Sequence, residues 1–564
     1  MLVVLFVLYG HNFYAQKPVY EWMRAARGAS WDEALAIACD DNGNSISTGY
    51  FEGSFHIGDS TFNSDTYADV FLIRHDSKGD LAWAKQLSCQ SGAWGNSVLL
   101  DENGNSVVTG FFSDSISVNS EMYYGYFQQT GFIAKFDQHG HFLWFHIMGG
   151  ENGWMWPADL MYLNNGNIIC AGIYGGTITI GDSLISTNDG GTFLAQYSST
   201  GDFIKLSEPC SGTINDIDLL GIAADGMDNM YIGGNFQGTL TFSDTSISSA
   251  GYQDIFIAKF DDQGNFLWAR QEGDISSELG MDVAADPLGN SAITGYFTST
   301  LTVGDTTFTA SGSEDIFIIK YDPDGNFLWA RTACGNVHFD LDEANGITAD
   351  KNGNFYLAGN FEGSASFGDT TLISRGSTDI FCAKFNSAGD CIWAAKIGGS
   401  NEEWGDDIAI NDQGDIFITG WYSSTITFGD TVITNTDAAD VCVIKLTESD
   451  INSVYNKSDY PGHFILYQNY PNPFNPGTVI SWQLAVGSHV DLSVYNLLGE
   501  KVATLVSRRM NPGSHTYAFD GRNLASGVYY YQLVASDPST GLSRTESRGS
   551  GQYYREVKKM ILLK

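Results

Sequence analysis

Asp261-Asp262-Gln263-Gly264-Asn265-Phe266-Leu267-Trp268 returns 61 residues later as Asp322-Pro323-Asp324-Gly325-Asn326-Phe327-Leu328-Trp329. Both stretches run from an acidic residue through a Gly-Asn turn into an apolar strand that carries Trp. A fixed period of this length marks a repeat architecture. The Trp residues carry the period outward: Trp22, Trp83 and Trp144 are spaced by 61, and Trp393 follows Trp329 by 64. One member is missing, and Lys205 stands in its place. Thr48-Gly49, Thr109-Gly110, Thr294-Gly295 and Thr419-Gly420 keep the same phase, as do Ala171-Gly172, Gly233-Gly234 and Ala358-Gly359. From Trp22 to Lys445 the chain holds seven copies.

Each copy reads as four strands, as in Ile222–Asp225, Asn290–Tyr296, Asp254–Phe260 and Asn265–Arg270. A small hairpin lies between the second and third, as in Thr425–Ile433, and its Gly429-Asp430 supplies a tight turn. Seven four-stranded units predict an all-β, seven-bladed β-propeller, which repeats radially and leaves few open edges. The array begins with a lone Trp strand, Tyr20–Arg24, and stops after a third strand, Asp440–Lys445. The N-terminal strand is therefore expected to complete the last blade. Gly346-Ile347-Thr348-Ala349-Asp350 with Gly353-Asn354-Phe355-Tyr356-Leu357-Ala358-Gly359 resembles the SBBP β-propeller repeat. That resemblance covers nearly all of residues 20–446 and implies a fold without a settled activity.

The chain has 564 residues, 64 Gly and a net charge of -38. So acidic a surface repels phosphate backbones and anionic headgroups, which argues against nucleic acid and membrane surfaces as partners. The charge is uneven: residues 451–564 hold 11 Lys+Arg and 7 Asp+Glu, against 17 and 59 before them. This places a domain boundary near 450, with 17–450 as propeller and 451–466 as linker. Residues 1–16, an apolar run ending in Tyr14-Ala15-Gln16, read as a secretory signal peptide, and no later segment is suited to span a membrane.

Alternating apolar strands and Gly turns over 467–564 predict a small immunoglobulin-like β-sandwich. Four stretches stand out there: Tyr467–Pro476, Val490–Val502, Leu524–Leu533 and Lys558–Lys564. Together they resemble the type A C-terminal sorting domain of the type IX secretion system. The resemblance implies a Bacteroidota-type bacterium, passage through the periplasm, and recognition by the outer-membrane translocon. It also implies removal of the domain, with cargo secreted or held at the outer-membrane surface.

No zincin, P-loop, dinucleotide or nucleophile-elbow motif is present. His139, His141 and His146 read as a polar turn and strand, since 141 and 146 fall on opposite strand faces. The eight Cys read mostly as small buried thiols; Cys382 and Cys391 flank one turn and could approach each other. Asp322, Asp324 and Asn326 resemble the start of a calcium loop, but the closing Glu is absent and turn chemistry is favoured. A second Trp set, Trp31, Trp94, Trp154, Trp156 and Trp404, falls in connections that gather at one mouth of a propeller channel. Trp31, Trp94, Trp154 and Trp404 are candidates to stack on a ligand, with Asp32, Glu33, Glu403 and Asp406 to bond its hydroxyls or a metal. The competing reading makes these Trp plugs between blades. The expected function is a non-catalytic binding or adhesion propeller, secreted or at the cell surface, taking a surface glycan or protein. No cofactor is required, although the carboxylates are suited to Ca²⁺. The alternatives are an extracellular polysaccharide hydrolase or lyase using channel-mouth carboxylates, and a structural part of a surface assembly.

Overall fold

The computed structural model describes residues 18–448, apart from 29, 66, 127–128, 334, 336–340, 430 and 436–438. It also describes 465–563, apart from 467–468, 470–471, 473, 485–487, 498, 511–512, 523 and 537–552. The expected leader, most of the expected linker, and Cys334 lie outside these residues. The chain divides into two compact units, one ending at Ile451 and the other starting at Asn452. Every regular element described is a strand.

In the first unit one hydrogen-bonded order recurs. Asp32–Cys39 pairs with Ser45–Phe51, which pairs with Asp69–His75, which pairs with Leu81–Cys89. The equivalent first strands are Ala93–Leu100, Met155–Tyr162, Ile217–Ala224, Glu278–Ala285, Glu343–Ala349 and Glu403–Ile410. Each opens a four-stranded subunit of the same order; these are numbered here one to seven along the chain. Consecutive first strands touch, and the seventh touches the first, so the first strands close a cycle. Together they line one cavity of about 400 Å³.

The seventh subunit uses both ends of the first unit. Pro18–Gly28 lies antiparallel to Asp440–Glu448, with Trp22 opposite Lys445 and Ala26 opposite Val441. The strand expected to complete the last subunit therefore does so.

The repeated motifs have physical causes. All seven first strands carry a bulge, with Leu35, Asn96, Ala158, Leu220, Met281, Asn345 and Asp406 as the extra residues. The bulge pushes a carbonyl against the second strand, so a Cβ at Gly49 would overlap the Glu33 carbonyl. Gly110, Gly234, Gly295, Gly359 and Gly420 meet the same obstacle. The Thr before this Gly spends its hydroxyl on the third strand: Thr48, Thr109 and Thr294 donate to Phe71, Phe132 and Phe317 carbonyls at 2.8, 2.7 and 2.7 Å.

The fourth-strand Trp ties neighbouring subunits together. Trp22, Trp83, Trp268 and Trp329 donate their indole N–H to carbonyls of Ser77, Gln138, Pro323 and Ser387 in the next subunit's turn, at 3.3, 3.0, 3.1 and 3.1 Å. Each ring covers the turn glycine; at Gly325 (φ +76°) a Cβ would lie 2.6 Å from Trp268. Where Trp is missing, the Lys205 ammonium reaches the Gln263 carbonyl at 2.9 Å. The last subunit has the two ends of the first unit in place of that turn, and the Glu448 carboxylate accepts Trp393 instead, at 3.1 Å. In the turns themselves, Asp322 accepts the N–H of Asp324 and Asn326 at 3.0 and 2.8 Å, and the Asn326 amide donates to its second oxygen at 2.8 Å. Both Asp322 oxygens thus serve the turn.

In the second compact unit, Ile465–Leu466, Gly477–Leu484 and Gly513–Asp520 form one sheet. Lys501–Met510, Ser488–Tyr495, Gly527–Ser536 and Tyr553–Leu562 form the other, in that order. The two share one core that includes Trp482, Phe519, Leu492, Tyr531 and Met560.

Candidate functional site

The residue two before each bulge, with the residue opposite it, forms a ring at one mouth of the cavity. The pairs are Glu33 with Tyr50, Trp94 with Phe111, Trp156 with Ile173, Asp218 with Asn235, Leu279 with Tyr296, Glu343 with Asn360, and Trp404 with Trp421. Subunits seven, one, two and three carry the aromatic arc, and subunits four to six carry a mainly polar one.

The aromatic arc is a ladder. Trp404 lies parallel to Trp421 (5.8 Å, 13°), and Trp421 meets Trp31 at 4.9 Å. Glu33 continues it by accepting the Trp31 indole at 3.3 Å and the Tyr50 hydroxyl at 2.7 Å. Tyr50 meets Trp94 at 5.8 Å, Trp94 stacks on Phe111 at 4.9 Å, and Phe111 meets Trp156 at 4.5 Å. The inner rings cover one another, while Trp31 and Trp156 keep 41% and 39% of their surface in solvent.

Of the sequence candidates, the ladder gathers Trp31, Trp94, Trp404 and Glu33. Trp154 lies against the backbone of Gly175, and Trp156 takes the ladder position. Asp32 and Glu403 are fully buried between subunits. Asp406 is the bulge residue of the seventh first strand and borders the cavity; burial and the charges of Glu33, Asp407 and Glu343 raise its pKa. Tyr50, Phe111 and Trp421 were missed; their signal was the residue directly after the repeated Gly.

Below the mouth, Asp159, Asp282 and Asp407 follow the bulges of alternate subunits. Each bridges its own strand to the next first strand: Asp407 accepts the N–H of Ile408 and Ile37 at 2.7 and 2.8 Å. Asp282 accepts Val283 and Ile347 at 2.7 and 2.9 Å. Asp159 accepts Leu160, Ile222 and the Ser97 hydroxyl at 2.7, 2.9 and 2.7 Å. The intervening positions hold Gly221 and Gly346, where a Cβ would crowd Asp282 and Asp407. Burial raises all three carboxyls, Asp407 to about 7, and repulsion from the others adds to it at Asp282 and Asp407. Among the described lining residues the charged groups are all carboxylates.

His141 bonds Asp137 at 2.8 Å in its exposed turn, whereas His146 packs on Trp144 and Tyr197. No group of three or more His, Cys, Asp or Glu is placed to hold a metal among the described residues. Cys382 and Cys391 do not meet: Cys382 faces Ala395 and Cys391 faces Phe385, and all seven described cysteines are thiols.

The chain is 23% identical over 462 residues to a WD repeat-containing protein of Acanthamoeba polyphaga mimivirus. The match covers 65% of this chain and spans about a third (33%) of that relative's length. Among solved structures it is similar to a protein of unknown function from Bacteroides caccae (12% identity, TM-score 0.30, 58% of this chain and 89% of the other). It is also similar to a puromycin hydrolase (9% identity, TM-score 0.39, 80% and 58%). Residues 468–541 match the secretion system C-terminal sorting domain. No helix of the described residues is long and apolar enough to cross a membrane. The sorting tail belongs to the type IX system: it engages that secretion machinery and directs the chain to the cell surface or to secretion.

Proposed function

We propose that residues 18–448 form a seven-bladed β-propeller of SBBP type, and that it acts as a non-catalytic binding or adhesion module outside the cell. Residues 465–563 then serve as an immunoglobulin-like sandwich read by the type IX machinery of a Bacteroidota-type bacterium. The observation that carries the binding reading is the aromatic ladder, whose two solvent-facing rings are Trp31, bonded to Glu33 at an acidic mouth, and Trp156 at the far end. Flat apolar faces beside carboxylates suit a neutral or cationic glycan, with or without Ca²⁺. Trp94, Trp404 and Asp406 support this surface, while Asp32 and Glu403 take no part in it. Binding is favoured over hydrolysis because the oxygens of Asp159, Asp282 and Asp407 already accept hydrogen bonds.

The test is a glycan array probed with the full chain and with Trp31→Ala and Trp156→Ala. A glycan bound by the parent and lost at least tenfold by both variants, at unchanged Tm, supports the proposal. No glycan bound, or binding indifferent to both changes, overturns it.

A further inference from the structure

Neighbouring subunits meet where the residue opening a third strand approaches the residue at the start of the next first strand. The main chain fixes this seam: the N–H of Asp32, Ala93, Met155 and Glu278 donates to the carbonyl of Ala439, Ala68, Gln129 and Gln253, at 3.0, 2.9, 3.1 and 2.9 Å. Thr378 and Glu402 bridge in the same way, as do Glu314 and Leu341. The side chains that follow are therefore placed together: Asp440 with Asp32, Asp254 with Glu278, Asp315 with Asp342, and Asp379 with Glu403. The same seam is elsewhere filled by Asp69 with Ala93 and by Thr130 with Met155. A first-strand acid thus occurs only opposite another acid.

All eight of these acids are buried. Their outward oxygens are well supplied. Asp254 Oδ2 accepts the N–H of Ala250 at 2.9 Å and the Gln271 amide. Glu278 Oε2 accepts Asp274 N–H at 3.1 Å. Asp379 Oδ2 accepts Arg375 N–H and the Lys396 ammonium at 3.2 and 3.0 Å, and Glu403 Oε2 accepts Gly399 N–H at 2.7 Å. The other oxygens, Asp254 Oδ1, Glu278 Oε1, Asp379 Oδ1 and Glu403 Oε1, are buried and have no donor. Asp69, which faces Ala93, has a donor on each oxygen: Cys89 N–H at 2.7 Å and the Gln86 amide at 2.5 Å. A lone acid at this seam is fully satisfied, whereas the Asp254–Glu278 and Asp379–Glu403 pairs lack one donor on each side. Two bare carboxylates so placed would repel at several kcal/mol.

We propose that the Asp254–Glu278 and Asp379–Glu403 pairs each hold one proton, so that a carboxylic acid on one subunit donates to a carboxylate on the next. The O–H of either partner supplies the missing donor, and no third ligand is needed. Charged and titratable neighbours leave this intact. Lys396 serves Asp379 from its outer side, and Cys442 lies behind Glu403. Asp274 adds negative charge beside Asp254 and Glu278. Glu52 and Arg27 flank the Asp32–Asp440 pair, with Tyr422 donating to Asp440. In line with this, burial holds Glu278 and Glu403 up at about 8, with Asp274 and then the facing Asp254 adding to it at Glu278 and the facing Asp379 at Glu403. The seams therefore make the ring tighter in acid to neutral media and looser in alkaline ones.

The experiment measures Tm of the full chain between pH 5.5 and 9.5, for the parent, Glu278→Gln and Glu403→Gln, each with EDTA and with added Ca²⁺. The expected result is a parent Tm that falls with rising pH and ignores EDTA. Each variant should show a shallower fall, by one proton per molecule in the linkage slope, and should exceed the parent above pH 9. Superimposable pH profiles overturn the proposal. So does a parent destabilised by EDTA and restored by Ca²⁺, which assigns a cation to the gap. Should the variants fail to fold, the parent alone decides: a deuterium-sensitive infrared band of protonated carboxyl in the native chain at pH 7 is expected, and its absence overturns the shared proton.

Discussion

The seam before the second subunit and the seam before the fifth use the same backbone contact for opposite electrostatics. The first sets Asp69 against Ala93 and gives each Asp69 oxygen a donor; the other sets Asp254 against Glu278 and leaves both facing oxygens without one. Thr130 against Met155 shows that the seam also closes with no acid at all. The paired acids are therefore not a requirement of the fold. They are a local choice that gives some joints of the ring a titration and spares others.

The largest effect is expected from deleting residues 18–28. It removes the fourth strand of the seventh subunit and the Gly28 N–H that donates to Asp440 at 3.0 Å, next to Asp32. The cooperative melt of the ring should vanish; a monomer melting like the parent would show that this seam is dispensable. Next, Thr130→Asp alone places an acid against Met155 with one oxygen undersupplied and should cost about 1–3 kcal/mol. Adding Met155→Glu should recover part of that loss at pH 6 but not at pH 9. A double variant as unstable as the single at both pH values would show that pairing does not compensate.

A smaller loss, about 1 kcal/mol, is expected for Asp69→Asn, because the amide keeps one acceptor where two were used. Its gain in alkali, from losing a carboxyl that burial raises, should be smaller than that of the Gln variants of paired seams. The sign follows from linkage. Carboxyls held at about 8 when folded and near 4 when unfolded stabilise fully below pH 4, and that contribution is lost as pH rises through 8. The smallest change in stability, within about 0.5 kcal/mol, is expected for Trp156→Ala, whose exposed ring ends the ladder. A loss as large as the roughly 3–5 kcal/mol of a buried Trp would make it a plug.

The repeat, the Asp-x-x-Gly-Asn turns and the joining of the chain ends were legible because each recurs or ends at a fixed phase. The candidate site was legible only in part, and strand alternation is the reason. Trp31 and Glu33 point to the mouth, so Asp32 between them must point into the seam; likewise Trp404 faces out and Glu403 in. Reading acids together with their Trp neighbours merged two faces that the pleat separates. Trp154 was preferred to Trp156 because the strand Phe142–Tyr162 runs through two subunits without a break, hiding where the first strand begins. Trp421, Tyr50 and Phe111 come from second strands, and nothing local in sequence joins them to Trp31 or Trp94. The donors that separate Asp69 from Asp254 are likewise contributed from distant parts of the chain.

The joining of the chain ends also sets how the ring is made. Gly28 meets Asp440 across 412 positions, and Glu21 meets Thr447 across 426. Contacts of such sequence separation form late, because the intervening chain must first be drawn together. Until then the third strand Asp440–Glu448 has one side unpaired, open to any extended segment that reaches it. A short peptide copying residues 18–28, supplied during refolding, should therefore compete for that edge and yield rings sealed by a strand that is not their own.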